Sequence, residues 1–158
     1  MSKRFVICYL FLSVLVVTAT AQSTIFIVRH AERVDASKDS VLSDAGRARA
    51  EALARMLRDK NITAIYATEF KRTQQTAAPL AEALGVKVII RPAKATDFAA
   101  TLRTVQGNAL VVGHSDTIPG LIKELGISDP ITIGEKDYGD LFEIVLEEKP
   151  RLIRLHYP

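Results

Sequence analysis

The chain has 158 residues, of which 48% are hydrophobic and 25% are charged, enough to bury the core of one domain. Its formal net charge of +3 is small and does not indicate a nucleic-acid-binding surface. The sole cysteine, Cys8, lies in the extreme N-terminal segment. The rest of the chain can therefore form no disulfide and has no thiol nucleophile or cysteine metal ligand.

The first 21 residues have the pattern of an export signal. Two basic residues precede an apolar run over 5–17, and the small residues Ala19-Thr20-Ala21 follow. This order is typical of a cleaved signal peptide, and the run is short for a membrane-spanning helix, which needs about 20 apolar residues. We therefore expect residues 1–21 to be a signal peptide and residues 22–158 to form one exported domain, periplasmic or secreted. A retained anchor and a buried helix are the alternatives.

Cleavage would change the charge balance of the chain. The 21 basic residues would fall to 19 against 18 acidic ones, a net charge of +1. We therefore expect no nucleic-acid partner, and no stable membrane association once the signal is removed. The sequence does not decide the oligomeric state.

Behind this segment, strand-like apolar runs alternate with amphipathic helical patterns. Ile25–Val28 is continuously apolar and rich in β-branched residues, which is typical of a strand buried on both faces. Ser43–Asp59 carries a helical apolar stripe, and Ser43 is placed to cap it. The further predicted elements are a strand over 62–67, a helix over 70–84 ended by Gly85, a strand over 86–90, a helix over 97–105, a strand over 109–112, a helix over 117–125, and strands over 141–146 and 152–155. This alternation predicts a three-layer α/β/α sandwich with a mostly parallel sheet and a final antiparallel hairpin.

Unusual polar residues follow three of the predicted strands. Arg29 and His30 come directly after the first strand, Arg72 follows the second, and His114 follows the fourth. In isolation, each is more often a turn residue or a solvated charge. Because ligands bind beyond the carboxyl ends of parallel strands, however, we expect all four to meet at one edge of the sheet.

Four motifs on these elements carry a resemblance to a known family. They are Arg29-His30-Ala31-Glu32, Leu42-Ser43-x-x-Gly46, Arg72-Thr73-x-x-Thr76-Ala77 and Val111-Val112-Gly113-His114-Ser115. In this order the chain resembles the histidine phosphatase superfamily, also called the phosphoglycerate mutase-like family, over about residues 24–146. The resemblance implies a phosphoglycerate mutase-like fold, and hydrolysis of small phosphate monoesters through a covalent phosphohistidine, with no metal and no cofactor.

The resemblance also implies a role for each residue at the strand ends. His30 matches the nucleophile, since a neutral imidazole has a free lone pair that can attack phosphorus. Arg29 and Arg72 match the residues that bind the phosphoryl oxygens. His114 matches the second pocket histidine, which as a cation would neutralise charge on those oxygens.

The sequence offers three candidates for the proton donor to the leaving group. In the acid-phosphatase branch an Asp directly follows the second histidine, but Ser115 occupies that place here. In the mutase branch a Glu follows the third strand, and Asp97 is the carboxylate in the corresponding segment, although it could simply cap a helix. Asp116 and Glu69 follow strands at the same edge and compete with Asp97, and Glu69 could instead cap the helix that bears Arg72.

Other functions stay open at this stage. A protein phosphohistidine phosphatase would use the same residues. A phosphoglycerate mutase is less favoured, because residues 73–113 leave no room for a substrate-covering insertion. A non-catalytic module that binds phosphoesters is a third possibility. Tyr138 would reach the same edge if the fifth strand is antiparallel, whereas His156, beside the last residues, is expected to be exposed.

Overall fold

The computed structural model describes residues 22–93 and 97–158, so the predicted export signal lies outside the described residues. The elements in chain order are β1 (Ser23–Arg29), α1 (Asp44–Leu57), β2 (Ile62–Ala67), α2 (Lys71–Leu84), β3 (Val88–Ile90), α3 (Phe98–Arg103), β4 (Asn108–Gly113), α4 (Ile118–Glu124), β5 (Asp140–Leu146) and β6 (Arg151–His156). Within the described ranges, the helices are all too short or too polar to cross a membrane.

The strands form one six-stranded sheet in the order β3-β2-β4-β1-β5-β6. The first four in this order are parallel, and β5 and β6 form the predicted antiparallel hairpin. The central strand β1 pairs with β4 in a register that places Arg29 opposite Gly113. The polar residues that follow β1, β2 and β4 are therefore delivered to one edge of the sheet.

Alternate side chains of β1 face the two helical layers. Phe26 and Val28 belong to the core on the side of α1 and α2, whereas Ile25 and Ile27 belong to the core on the side of α3 and α4. All four are buried, which explains the continuous apolar run. The predicted three-layer α/β/α sandwich is confirmed.

The element ends follow local backbone chemistry. Ser43 caps α1 as predicted, since its hydroxyl accepts from the amide of Gly46 at 3.1 Å. Gly85 ends α2 in the left-handed conformation, with φ of 65°. The amide of Val86 then donates back to the carbonyl of Ala81 at 3.0 Å, so β3 begins at Val88, two residues later than predicted.

Candidate active site

The pairing of β1 with β4 brings the two predicted histidines together. The amide of His30 continues the strand pairing by donating to the carbonyl of Gly113 at 2.9 Å. The rings of His30 and His114 lie 5.4 Å apart between centroids, edge to face. Both residues are more than nine-tenths buried, at the floor of an open pocket of about 540 Å³ that we call the strand-end pocket.

The hydrogen bonding of His30 determines which ring nitrogen is free. Nδ1 lies 2.8 Å from the carbonyl oxygen of Ala31, and a carbonyl can only accept, so Nδ1 carries the proton. Burial lowers the pKa of His30 to about 3, and the nearby charge of Arg72 adds to this effect against the opposing hydrogen bond to Ala31. At neutral pH the ring is therefore uncharged, with a lone pair on Nε2.

His114 is held in the complementary tautomer. Arg72 donates from Nη2 to Nδ1 of His114 at 3.5 Å, so Nε2 carries the proton and donates to Oγ1 of Thr68 at 2.9 Å. Burial, followed by the charge of Arg72, lowers the pKa of His114 to about 4. The ring is thus neutral at pH 7 in this arrangement, whereas the sequence resemblance implies a cation; a bound dianion would favour the cationic form by offsetting the charge of Arg72.

Arg29 is fixed by the segment that precedes β5. Its Nη1 donates to the carbonyls of Gly134 and Glu135, each at 2.9 Å, and its Cζ lies 4.2 Å from the ring centroid of Tyr138. Its Nε is buried and has no hydrogen-bond partner within the described part of the chain. Arg29 also lines the strand-end pocket, so its guanidinium group places positive charge beside any anion bound there.

Arg72 occupies the first turn of α2 and is held in a similar way. Nη1 donates to the carbonyl of Lys38 at 2.7 Å, and Cζ lies 4.5 Å from the ring centroid of Phe70. Its Nε is also buried without a partner among the described residues. Both guanidinium groups line the strand-end pocket together with the two histidines, and they bring positive charge to it.

The motif around Gly46 supports the loop that carries His30. The carbonyl of Glu32 accepts from the amide of Ser43 at 2.9 Å, and a Cβ at Gly46 would lie 2.1 Å from that same carbonyl oxygen. Only glycine permits this contact. On the other side of the loop, Oγ1 of Thr76 accepts from the amide of Ala31 at 3.0 Å. Both helices of this layer thus fix the backbone beside the nucleophile candidate.

The comparisons with known proteins agree with this arrangement. The family model described as histidine phosphatase superfamily (branch 1) matches residues 25–94, which contain three of the four motifs. This match, together with the four motifs and the fold, supports membership of the histidine phosphatase superfamily.

The curated relatives are matched over only part of their length. A probable phosphoglycerate mutase GpmB of Yersinia enterocolitica is 36% identical over 75 residues, which cover 43% of this chain and 35% of that protein. The corresponding protein of Erwinia tasmaniensis is 32% identical over the same shares. The chain thus spans about a third of the length of the curated relatives it matches.

Solved structures match the fold over almost their whole length. The protein histidine phosphatase SixA complexed with tungstate superposes with a TM-score of 0.71 at 18% identity, covering 84% of this chain and 96% of that one. A mycobacterial glucosyl-3-phosphoglycerate phosphatase superposes with a TM-score of 0.63 at 15% identity, covering 86% and 98%. At such identities the likeness shows the fold.

The three candidate carboxylates for the proton donor occupy different places. Glu69 and Asp116 line the strand-end pocket, and Asp97 is not among its lining residues. Asp97 instead forms an ion pair with Arg91 at 2.9 Å, its side chain 72% exposed. Glu69 does not cap α2, since its Oε2 accepts from the amide of Ala93 at 3.0 Å. Asp116 also lines a second space of about 330 Å³, the side cavity.

The sequence assigned no role to three residues that lie in or beside the strand-end pocket. Thr68 orients His114 by accepting a hydrogen bond from its Nε2. Arg33 lines the pocket. Burial, followed by the charge of Arg33, lowers the pKa of Arg72. The sequence does not decide whether Tyr138 reaches this edge of the sheet. The antiparallel β5 brings its ring centroid to 6.2 Å from that of His30. A motif search could have noted Arg33 beside the strand-end residues, but the position of Tyr138 depends on long-range packing. His156 lies away from the pocket lining, with its side chain 76% exposed.

The described ranges, 22–93 and 97–158, contain no group of three or more His, Cys, Asp or Glu side chains that could hold a metal ion. The expected metal independence stays a prediction, and the positive groups of the pocket belong to side chains of the protein.

Proposed function

We propose that the chain is a phosphatase that hydrolyses phosphate monoesters through a covalent phosphohistidine on His30. The observation that carries the proposal is the tautomer of His30, whose Nδ1 is engaged by the carbonyl of Ala31 while Nε2 keeps its lone pair. The pKa of about 3 keeps this nucleophile unprotonated at any ordinary pH. Arg29 and Arg72, which line the same pocket, would supply the complementary positive charge for the phosphoryl oxygens.

The reaction would proceed in two displacements at phosphorus. In the first, Nε2 of His30 forms a bond to phosphorus, the ester P–O bond breaks, and the leaving oxygen takes a proton from a carboxylic acid. In the second, water attacks the phosphohistidine, its proton returns to the carboxylate, and the N–P bond breaks to release phosphate. Arg29 and Arg72 would stabilise the charge on the non-bridging oxygens in both steps.

We propose Asp116 as this acid, in place of Asp97. The leaving oxygen must lie between the phosphoryl group and the rest of the substrate, and Asp116 lines both the strand-end pocket and the adjoining side cavity. Glu69 lines the strand-end pocket alone, where its carboxylate already accepts from Ala93.

The proposal is tested by replacing the nucleophile. His30→Ala should abolish release of phosphate from p-nitrophenyl phosphate and abolish acid-labile, base-stable labelling of the protein by a ³²P-substrate. His156→Ala is the matched control, since its exposed ring lies outside the pocket, and it should keep both. His30→Ala activity within tenfold of the parent would refute the assignment. Complete inactivity of the unaltered protein would favour the non-catalytic phosphoester-binding module.

A second candidate is a phosphatase that acts on phosphohistidine in a protein. The open strand-end pocket supports it, and one matched structure is described as a protein histidine phosphatase. The expectation of export argues against it, because phosphorelay proteins are normally intracellular. Rates on a phosphohistidine protein and on small phosphate esters, measured side by side, distinguish the two. A mutase reaction is less favoured, because residues 73–113 are too few to include a substrate-covering insertion.

We also propose that the protein is exported, on the pattern of residues 1–21 alone. N-terminal sequencing of protein recovered from the periplasm or the medium should find Gln22 first. Soluble protein that retains Met1 would contradict this.

A further inference from the structure

The side cavity adjoins the strand-end pocket on the side away from β1. The two spaces share Pro92, Ala93, Asp116 and Thr117 as lining residues. At about 330 Å³ the side cavity is at the lower end of the range for small-molecule sites, about 300–1,000 Å³. A substrate whose phosphoryl group contacts His30 would therefore direct its leaving group past Asp116 into this space.

The walls of the side cavity are aromatic and aliphatic. Tyr66 and Phe98 form an edge-to-face pair with ring centroids 5.2 Å apart, and both line the cavity together with Ile118 and Leu121. Such walls favour flat apolar groups, because aromatic rings pack well in edge-to-face and offset arrangements.

The charges of the cavity disfavour a second anionic group on the substrate. Asp116 and Glu124 are lining carboxylates, and the lining cation Arg91 is already paired with Asp97 at 2.9 Å. An additional phosphate or carboxylate on the leaving group would meet this negative charge.

We propose that the side cavity is the leaving-group site and that it selects phosphate monoesters of uncharged aromatic alcohols. This inference rests on the proposed phosphatase function. It goes beyond that function because the cavity, and not the phosphoryl-binding groups, would decide which esters are used.

Gly120 offers a way to obstruct the side cavity without altering the catalytic groups. It lines the side cavity on α4, and a Cβ built on it meets no atom within 4 Å. Gly120 is exposed, so it lies at the mouth of the cavity, and Gly120→Leu should fold and obstruct that mouth. Lys123→Leu is the matched control, because Lys123 is exposed on the same helix and is not among the lining residues.

The two variants are compared with the parent on two substrates, 2-naphthyl phosphate and acetyl phosphate. The leaving group of acetyl phosphate is too small to fill the cavity. Gly120→Leu should lower kcat/KM for 2-naphthyl phosphate at least about tenfold, mainly through KM, since the ring loses its apolar site. Gly120→Leu should leave kcat/KM for acetyl phosphate within about twofold of the parent value. Lys123→Leu should change kcat/KM for neither substrate by more than that. An equal effect of Gly120→Leu on both substrates, or none on 2-naphthyl phosphate, would overturn the inference while the phosphatase function stands.

A measurement on the parent protein does not depend on any variant. The inhibition constant of 2-naphthylmethylphosphonate should be at least about tenfold lower than that of methylphosphonate, because only the former places a ring in the cavity. Equal inhibition constants would overturn the inference. If the parent hydrolyses neither phosphate, the proposed function itself fails, and the inference fails with it.

Discussion

Arg72 and His114 share a hydrogen bond, with Nη2 donating to Nδ1 across 3.5 Å. Because a guanidinium has only donors, this contact is compatible with a neutral His114 alone. It joins the first turn of α2 to the end of β4, two elements that approach the strand-end pocket from different directions. A bound phosphoryl group would compete for the same guanidinium, so ligand binding and protonation of His114 should be coupled.

The two buried histidines make the stability of the protein sensitive to acid. Burial holds the pKa of His30 at about 3 and that of His114 at about 4, below the 6.5 of the unfolded chain. The unfolded state therefore binds protons first, and the stability that these groups contribute is full above pH 6.5 and lost as the pH falls towards 4. As the pH falls through this range, each histidine lowers the free energy of unfolding by up to about 1.4 kcal/mol per pH unit.

Urea denaturation at pH 7 and pH 5 measures this effect. His114→Asn should show a smaller loss of unfolding free energy between the two pH values than the parent protein. His156→Ala should keep the full loss, because its ring is exposed. An unchanged loss in His114→Asn would show that the ring does not remain neutral in the folded state.

Replacing the proton donor should affect poor leaving groups selectively. Asp116→Asn should slow phosphoryl transfer from an alkyl phosphate by about 10²–10⁴-fold, the usual contribution of a general acid. It should leave the first step with p-nitrophenyl phosphate, measured as the initial burst of nitrophenolate, nearly unaffected, since nitrophenolate departs without a proton. Asp97→Asn and Glu69→Gln are the comparisons. Selective loss in either of these, with Asp116→Asn normal, would move the role to that residue.

The close contact of Gly46 predicts that alanine substitution at two helix glycines, Gly46 and Gly120, changes the stability of the protein in opposite directions. Gly46→Ala would place a methyl group 2.1 Å from the carbonyl oxygen of Glu32 and should cost about 1–3 kcal/mol, as overpacking does. Gly120→Ala meets open space and should stabilise by about 0.5–1 kcal/mol. Thermal denaturation of both variants tests the pair, and similar midpoints would contradict the contact.

The proposed mechanism needs no metal, and this can be measured directly. Prolonged dialysis against EDTA should leave the rate on p-nitrophenyl phosphate unchanged. Vanadate, which adopts the five-coordinate geometry of the transferring phosphoryl group, should inhibit competitively. Loss of activity that is restored by Mg²⁺ or Zn²⁺ would rule the mechanism out.

The sequence predicted those parts of the site that follow from local sequence patterns and from the topology of a parallel sheet. Apolar runs and helix caps placed the elements, and the rule for parallel strands brought His30 and His114 to one edge. It could not predict the surroundings of Asp97, because its pairing with Arg91 depends on how the loop after β3 packs. The role of Tyr138 depended likewise on the direction of β5, which side-chain periodicity does not encode.

The position of β1 has a consequence for how the protein acquires its structure. β1 lies between β4 and β5, with Arg29 opposite Gly113 and Ser23 opposite Leu146, so the strand made first pairs only with strands made much later. Closing such long loops is entropically costly, and folds rich in non-local pairing form slowly. The carbonyl partners of Arg29 at Gly134 and Glu135 are also late in synthesis. A nascent chain should therefore lack the complete strand-end pocket until its C-terminal third can join the sheet.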